Sequence, residues 1–244
     1  MRFCQPNLPK NMAKICVLSG RNKPVVQALE ARGIQCYLTR PSKRISQPVA
    51  DHTDMLSLLV RPGKVLLSSD QKELQKRLTS AGVEVISFNE LNPGYPDETA
   101  LNNLILGNQM IGGPAAAKNL ARLQAQKLEF SEIRQGYTRC SAVPVQEKAV
   151  ITADHNLGRL LQELGFDVLE IEPEKGIQLK GYAYGFLGGS CGKISLNELA
   201  FCGDFSLLNQ SQQIEAFLKK YDVKPISLCQ GPIHDIGGIV AIAE

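Results

Sequence analysis

The chain has 244 residues, 43% of them apolar and 21% charged, which is the make-up of a globular protein long enough to bury one large core or two small ones. A formal net charge of +3, with no tryptophan, argues against nucleic acid as a partner, and the one basic cluster, Arg40, Lys43 and Arg44, is interrupted by proline and serine like a solvated loop. No segment approaches the roughly 18 continuous apolar residues of a membrane span, "MRFCQPNLPKNMAK" has no signal-like apolar core, and seven cysteines without C-x-x-C spacing fit a reducing cytoplasm better than a disulfide framework or a zinc ribbon.

In chain order, one phrase recurs. "KICVLSGRNKPVVQALEARGIQCYL" has the pattern strand, helix, strand, with Gly33 as the helix stop. "GKVLLSSDQKELQKRLTSAGVEVISF" repeats it, with Asp70 as the expected N-cap, Leu74 and Leu78 one helical turn apart, and Gly82 as the stop. "NQMIGGPAAAKNLARLQAQKLEFSEI" places Pro114 at a helix start, where its missing N–H costs nothing. "KAVITADHNLGRLLQELGFDVLEI" has Asp154 as cap, a stripe of Leu157, Leu160, Leu161 and Leu164, and Gly165 as stop. "ELAFCGDFSLLNQSQQIEAFLKKYDVKPISL" puts Ile214, Phe217, Leu218 and Tyr221 on one face. These are about five copies at a spacing of roughly 40 to 50 residues, the range of repeat architectures.

Ahead of most copies lies an extra apolar run, at residues 56–60, 104–106, 142–145 and 194–196. The unit is therefore ββαβ, and its hairpin argues against a simple doubly wound sheet. The first copy lacks its leading strand, while "HDIGGIVAIAE" supplies a strand without a following helix. The economical solution is one α/β domain over residues 1–244, a five-bladed ββαβ propeller with units near 12–50, 51–94, 95–136, 137–181 and 182–230. A C-terminal strand within 231–244 would close the ring and remove an exposed sheet edge.

Five such units with a glycine-rich closing strand resemble the pentein fold of the guanidino-group-modifying enzymes, which include arginine and agmatine deiminases, dimethylarginine dimethylaminohydrolase and the amidinotransferases. His52-Thr53-Asp54 resembles the family's His-x-Asp, and Ile236-Gly237-Gly238-Ile239-Val240-Ala241 resembles its closing strand. The resemblance implies a histidine that handles protons and an aspartate that grips a guanidinium nitrogen. It also implies a nucleophilic cysteine shortly after the glycine pair. Here those positions are Ile239, Val240, Ala241 and Ile242, so this is a divergent member without the usual C-terminal cysteine. The family includes a non-enzymatic ribosome anti-association factor, and the fold alone does not imply catalysis.

In a ring of this kind the residues leading into each first strand meet near the centre. They are His52 and Asp54, Asp97 and Glu98, Arg139 and Cys140, Ser190 and Cys191, and His234 and Asp235. Carboxylates accept the N–H fan of a planar cation, so Asp54, Asp97, Glu98 and Asp235, with Arg139, are the expected substrate-binding set. Cys191, flanked by small residues, is the preferred nucleophile and Cys140 the second choice, with His52 and His234 as proton handlers. The structural alternatives are that His52–Asp54 and His234–Asp235 are buried pairs, that Cys191 is a small residue in a turn, and that Arg139 pairs with Asp97 or Glu98. Nothing in the spacing selects a metal at His52, Asp54, His234 and Asp235, and no cofactor is implied. Two functions remain: a thiol-dependent hydrolase or amidinotransferase-like protein acting on a small guanidine or amidine, and a non-catalytic pentein holding a small cation or a protein partner. The oligomeric state stays open.

Overall fold

Five three-stranded sheets follow one another along the chain in the computed structural model, which describes residues 1–121 and 128–244. The first unit is β1 (Ile15–Ser19), α1 (Lys23–Ala31) and β2 (Gln35–Thr39). A helical turn, α2 (Thr53–Leu56), leads into β3 (Ser57–Arg61), β4 (Lys64–Ser68), α3 (Lys72–Ser80) and β5 (Glu84–Phe88). The third unit is β6 (Leu104–Leu106), β7 (Gln109–Gly112), α4 (Pro114–Lys118) and β8 (Glu129–Glu132). The fourth is β9 (Ala142–Gln146), β10 (Ala149–Thr152), α5 (His155–Glu163) and β11 (Asp167–Glu170). The fifth is β12 (Cys191–Ser195), β13 (Glu198–Phe201), α6 (Ser211–Lys220) and β14 (Lys224–Ser227), and β15 (Val240–Ala243) ends the chain.

Each unit pairs its first two strands as an antiparallel hairpin and crosses through its helix to a parallel third strand. The first unit takes its missing strand from the other end of the chain: β15 pairs antiparallel with β1, Ile15 facing Ala243, and β2 pairs parallel on the other side. The expected ββαβ unit and its C-terminal complement are both present.

The strands are apolar on both faces because both faces are covered. Val17 of β1 joins Leu67 of β4 and Leu78 of α3 in one core, whereas its neighbour Leu18 joins Leu29 of α1, Ile194 and Ala200 in another. Three further cores lie between the second and third sheets (Leu66, Met110), the third and fourth (Ile111, Leu161) and the fourth and fifth (Ile151, Leu218). Successive side chains of an extended strand point to opposite faces, so each strand feeds two cores, and each helix needs only one apolar stripe.

The helix stops hold. Gly33, Gly82 and Gly165 have φ of 80°, 83° and 78°, the left-handed conformation that ends a helix without a Cβ penalty. Asp154 caps α5 by accepting the Leu157 N–H at 2.9 Å. Asp70 does not cap α3, because its carboxylate is taken by the hydroxyls of Ser42 (2.6 Å) and Ser68 (2.7 Å). Pro114 opens α4 as expected, but that helix ends at Lys118, and the rest of the helix expected there includes residues 122–127, outside the described residues. β12 begins at Cys191, three residues before the expected run, where its pairing with Phe201 of β13 starts, and Gly192 beside it leaves room for the backbone of Ile239. Among the described residues no helix is long and apolar enough to cross a membrane.

Candidate functional site

The segments that lead into the first strands surround a cavity of about 270 Å³. Its walls are largely aromatic and aliphatic, with Tyr137, Tyr182, Phe186 and Met55 among them, and His52, Cys140 and Asp235 border it as well. Tyr137 is the middle of an aromatic row, 5.8 Å from the Tyr95 ring and 6.0 Å from the Phe186 ring. Among the described residues no lysine or arginine lines the cavity.

Backbone geometry brings the polar groups together. His52 stands immediately before α2, and that turn carries Asp54, whose N–H donates to the Gly237 carbonyl at 3.1 Å. Gly237 has φ of 77°, and a Cβ there would lie 2.5 Å from the Thr53 nitrogen. Gly237 therefore lets the closing segment press against His52-Thr53-Asp54.

Asp235 is the anchor. Its Oδ2 accepts the Phe186 N–H at 2.8 Å, its Oδ1 accepts the Gly237 N–H at 3.1 Å, and Nδ1 of His52 lies 3.6 Å from that Oδ1. Burial raises the pKa of this carboxyl above its ordinary value, with His52 opposing and Asp54 adding to the rise. Across the centre, the Cys140 thiol donates to Asp54 Oδ2 at 2.8 Å and accepts from Asn102 Nδ2 at 3.0 Å. Asn102 is held in turn by the N–H groups of Arg139 (2.8 Å) and Cys140 (3.3 Å) on its Oδ1. Burial pushes the Cys140 thiol far up, and the carboxylates of Asp54 and Asp235 push it further, so the free protein carries a neutral thiol at neutral pH. The second oxygen of Asp54, Oδ1, is buried with no hydrogen-bond partner among the described residues.

The other expected site residues lie elsewhere. Cys191 is the first residue of β12 and not part of a turn; its thiol donates to the Leu187 carbonyl at 3.2 Å and faces a gap of about 10 Å³ beside Arg139. Burial pushes this thiol up to about 12, with Arg139 opposing and Asp235 adding. Cys140 therefore borders the cavity, and Cys191, the preferred candidate from the sequence, is not among its lining residues. His234 is absent from the cavity wall, because consecutive residues of an extended segment point to opposite sides and Asp235 takes the inward position. Asp235 pairs with His52, so neither expected pair, His52–Asp54 or His234–Asp235, forms.

Arg139 turns away from the cavity, donating through Nε to Asn7 Oδ1 at 2.8 Å and through Nη1 to the carbonyls of Ala142 (3.2 Å) and Gly188 (3.3 Å). It pairs with neither Asp97 nor Glu98. Asp97 is half-exposed beside Lys118 at 3.4 Å. Glu98 is buried and accepts the Ser46 N–H (2.8 Å), the Ser46 hydroxyl (2.6 Å), the Gly94 N–H (3.3 Å) and the Tyr137 hydroxyl (3.2 Å), so it reaches the cavity only by holding Tyr137. The third spoke is carried instead by Asn102, which the sequence reading missed. Its signal was positional: Asn102 stands two residues before β6 as Cys140 stands two before β9. Among the described residues no group of three or more His, Cys, Asp or Glu is arranged to hold a metal ion, and all seven cysteines are free thiols.

A model of a family described as a family of unknown function (DUF6873) matches residues 17–240. Solved structures similar to this one include the inosamine-phosphate amidinotransferase of Streptomyces griseus, at 12% identity and TM-score 0.61, covering 99% of this chain and 97% of that one. An amidinotransferase of the saxitoxin biosynthetic pathway from Microseira wollei is similar at 11% identity and TM-score 0.59, covering 92% and 91%. The agmatine deiminase of C. jejuni is similar at 12% identity and TM-score 0.57, covering 94% and 90%. A comparison with curated proteins gave no match. At these identities the likeness is one of fold. The chain thus belongs to the DUF6873 family, and its fold is that of the penteins.

Proposed function

We propose that the cavity receives a small guanidine or amidine cation and that Cys140 attacks its central carbon. The observation that carries this reading is the state of Asp54: one oxygen holds the thiol of Cys140, which borders the cavity, and the other is buried with no hydrogen-bond partner among the described residues. Two buried carboxylates and one imidazole make a site that a cation completes, and an N–H donor is what the free Asp54 oxygen lacks. The Tyr137 and Phe186 rings offer faces for a planar cation.

The chemistry follows from the same groups. A bound cation offsets the carboxylates that hold the thiol pKa up, so the substrate itself favours the thiolate. The thiol proton passes to Asp54, sulfur forms a bond to the amidine carbon, and the C–N bond to one nitrogen breaks as His52 gives that nitrogen a proton. Water or an amine then attacks the same carbon and gives a proton to His52, the C–S bond breaks to release a urea or a new amidine, and Asp54 returns a proton to the sulfur. Asp235 holds His52 in place.

A second reading, binding without turnover, draws on the closing strand. Val240, Ala241 and Ile242 are buried and apolar there, with no thiol. A panel of small guanidines and amidines tests both readings, with thermal melting, ammonia or urea release and intact mass read together. Turnover or a covalent adduct that disappears in Cys140→Ser supports the thiol mechanism. A raised melting temperature with neither product nor adduct supports binding alone. No stabilisation by any member of the panel refutes both.

A further inference from the structure

A second cavity, of about 480 Å³, lies at the opposite end of the first strands. It is bordered by the hairpin turns at Asn108 and Lys148, by Leu196 after β12, and by the N-terminal segment near Lys10. Lys193 of β12 reaches it although the residue is only 4% exposed. Its Nζ donates to the carbonyl of Val145 in the neighbouring sheet at 3.1 Å and to the carbonyl of Leu196. No carboxylate among the described residues pairs with it. A buried amine held by neutral carbonyls alone is unusual, because an uncompensated buried charge is costly. Structural lysines are normally paired or extend to solvent.

We propose that Lys193 is the nucleophilic amine of a second site that captures a small anionic aldehyde or ketone as an imine. A neutral amine has two N–H groups, and the two carbonyls accept both, which leaves the lone pair free. Burial draws this amine down to about 8, so an appreciable fraction is neutral near physiological pH. Lys10 and Lys148 border the same cavity and outnumber its one carboxylate, Glu147, which favours an anionic group on the ligand. Gln109 contributes a buried amide oxygen, Oε1, with no partner among the described residues, a ready acceptor for a hydroxyl. The step balances without an oxidant or reductant. Nitrogen bonds to the carbonyl carbon, the carbonyl oxygen leaves as water with both amine hydrogens, and the lysine remains as the imine until water reverses it.

Glyoxylate is the probe, with cyanoborohydride to trap the imine on the intact protein and peptide mass spectrometry to locate it. Lys193 is expected to be labelled about tenfold or more faster than any exposed lysine at pH 8, since each unit of pKa depression gives about a tenfold larger neutral fraction. Propanal, which lacks the carboxylate, is expected to label Lys193 at least about fivefold more slowly than glyoxylate. Lys193→Arg keeps the charge and removes the label. The wild-type label map decides the matter even if that variant does not fold. Label spread over exposed lysines with Lys193 unreacted overturns the site, and equal rates for propanal and glyoxylate overturn its preference for anions.

Discussion

The sulfur of Cys140 and Oδ2 of Asp54 lie 2.8 Å apart across the centre of the ring, although 86 residues separate them in the chain. The contact joins the second unit to the fourth, and it sets the chemistry of both groups. A carboxylate beside a buried thiol keeps the proton on sulfur until something positive arrives.

Replacing Asp54 by Asn removes that anion. The Cys140 pKa falls, because Asp54 is the largest contribution to its rise after burial itself. Alkylation of Cys140 by iodoacetamide at pH 8 should then quicken by about tenfold for each unit of fall. Peptide-resolved labelling rates measure this, and an unchanged rate would mean that Asp54 does not control the thiol.

The two central thiols should separate cleanly in activity. Cys140→Ser is expected to lower turnover of a guanidine substrate by about a thousandfold or more, whereas Cys191→Ser keeps it within about twofold. Steady-state kinetics on both variants decide it. Equal losses would place the chemistry outside the cavity that Cys140 borders.

Asp235 gives the site a pH dependence of two opposite signs. Its folded pKa is raised above the unfolded value, so the folded chain holds this proton more tightly. Its contribution to stability is therefore present below the unfolded pKa and is lost as pH rises through the raised folded value. Cation binding runs the other way, because the ionised carboxylate is the attractive form. The rise in melting temperature given by a guanidinium ligand should be larger at pH 8 than at pH 4.5, and Asp235→Asn should flatten that difference. A ligand-induced shift independent of pH in the wild type contradicts this role.

Glu98 acts at one remove. Truncation to Ala strands the Ser46 and Gly94 donors and frees the Tyr137 hydroxyl, at a cost of about 3 kcal/mol in unfolding free energy. Glu98→Gln should cost less than half of that, since the amide oxygen still accepts. Urea melts give both numbers, and a loss under about 1 kcal/mol for Glu98→Ala would show that water replaces the carboxylate.

Gly189 shields the anchor. A Cβ at this position would collide with the Asp235 carboxylate, whose atoms are its three nearest neighbours. Gly189→Ala should therefore abolish stabilisation by guanidinium ligands and leave a cooperative melt. Retained ligand stabilisation would show that the site does not need Asp235 where it stands.

The repeated ββαβ unit, the glycine stops at 33, 82 and 165 and the C-terminal strand that completes the first sheet were all legible in the sequence. They arise from local causes: periodicity of apolar residues, left-handed glycine conformations and short hairpin turns. The membership of the cavity was not local. Asp235 rather than His234 faces inward because an extended backbone alternates its sides, and a shift of one residue exchanges them. Cys140 rather than Cys191 borders the cavity, and Asn102 rather than Asp97 or Glu98 supplies the third spoke, because these depend on where five separate segments come to rest against one another. Chain pattern determined the ring; packing across the ring decided which acid meets which thiol.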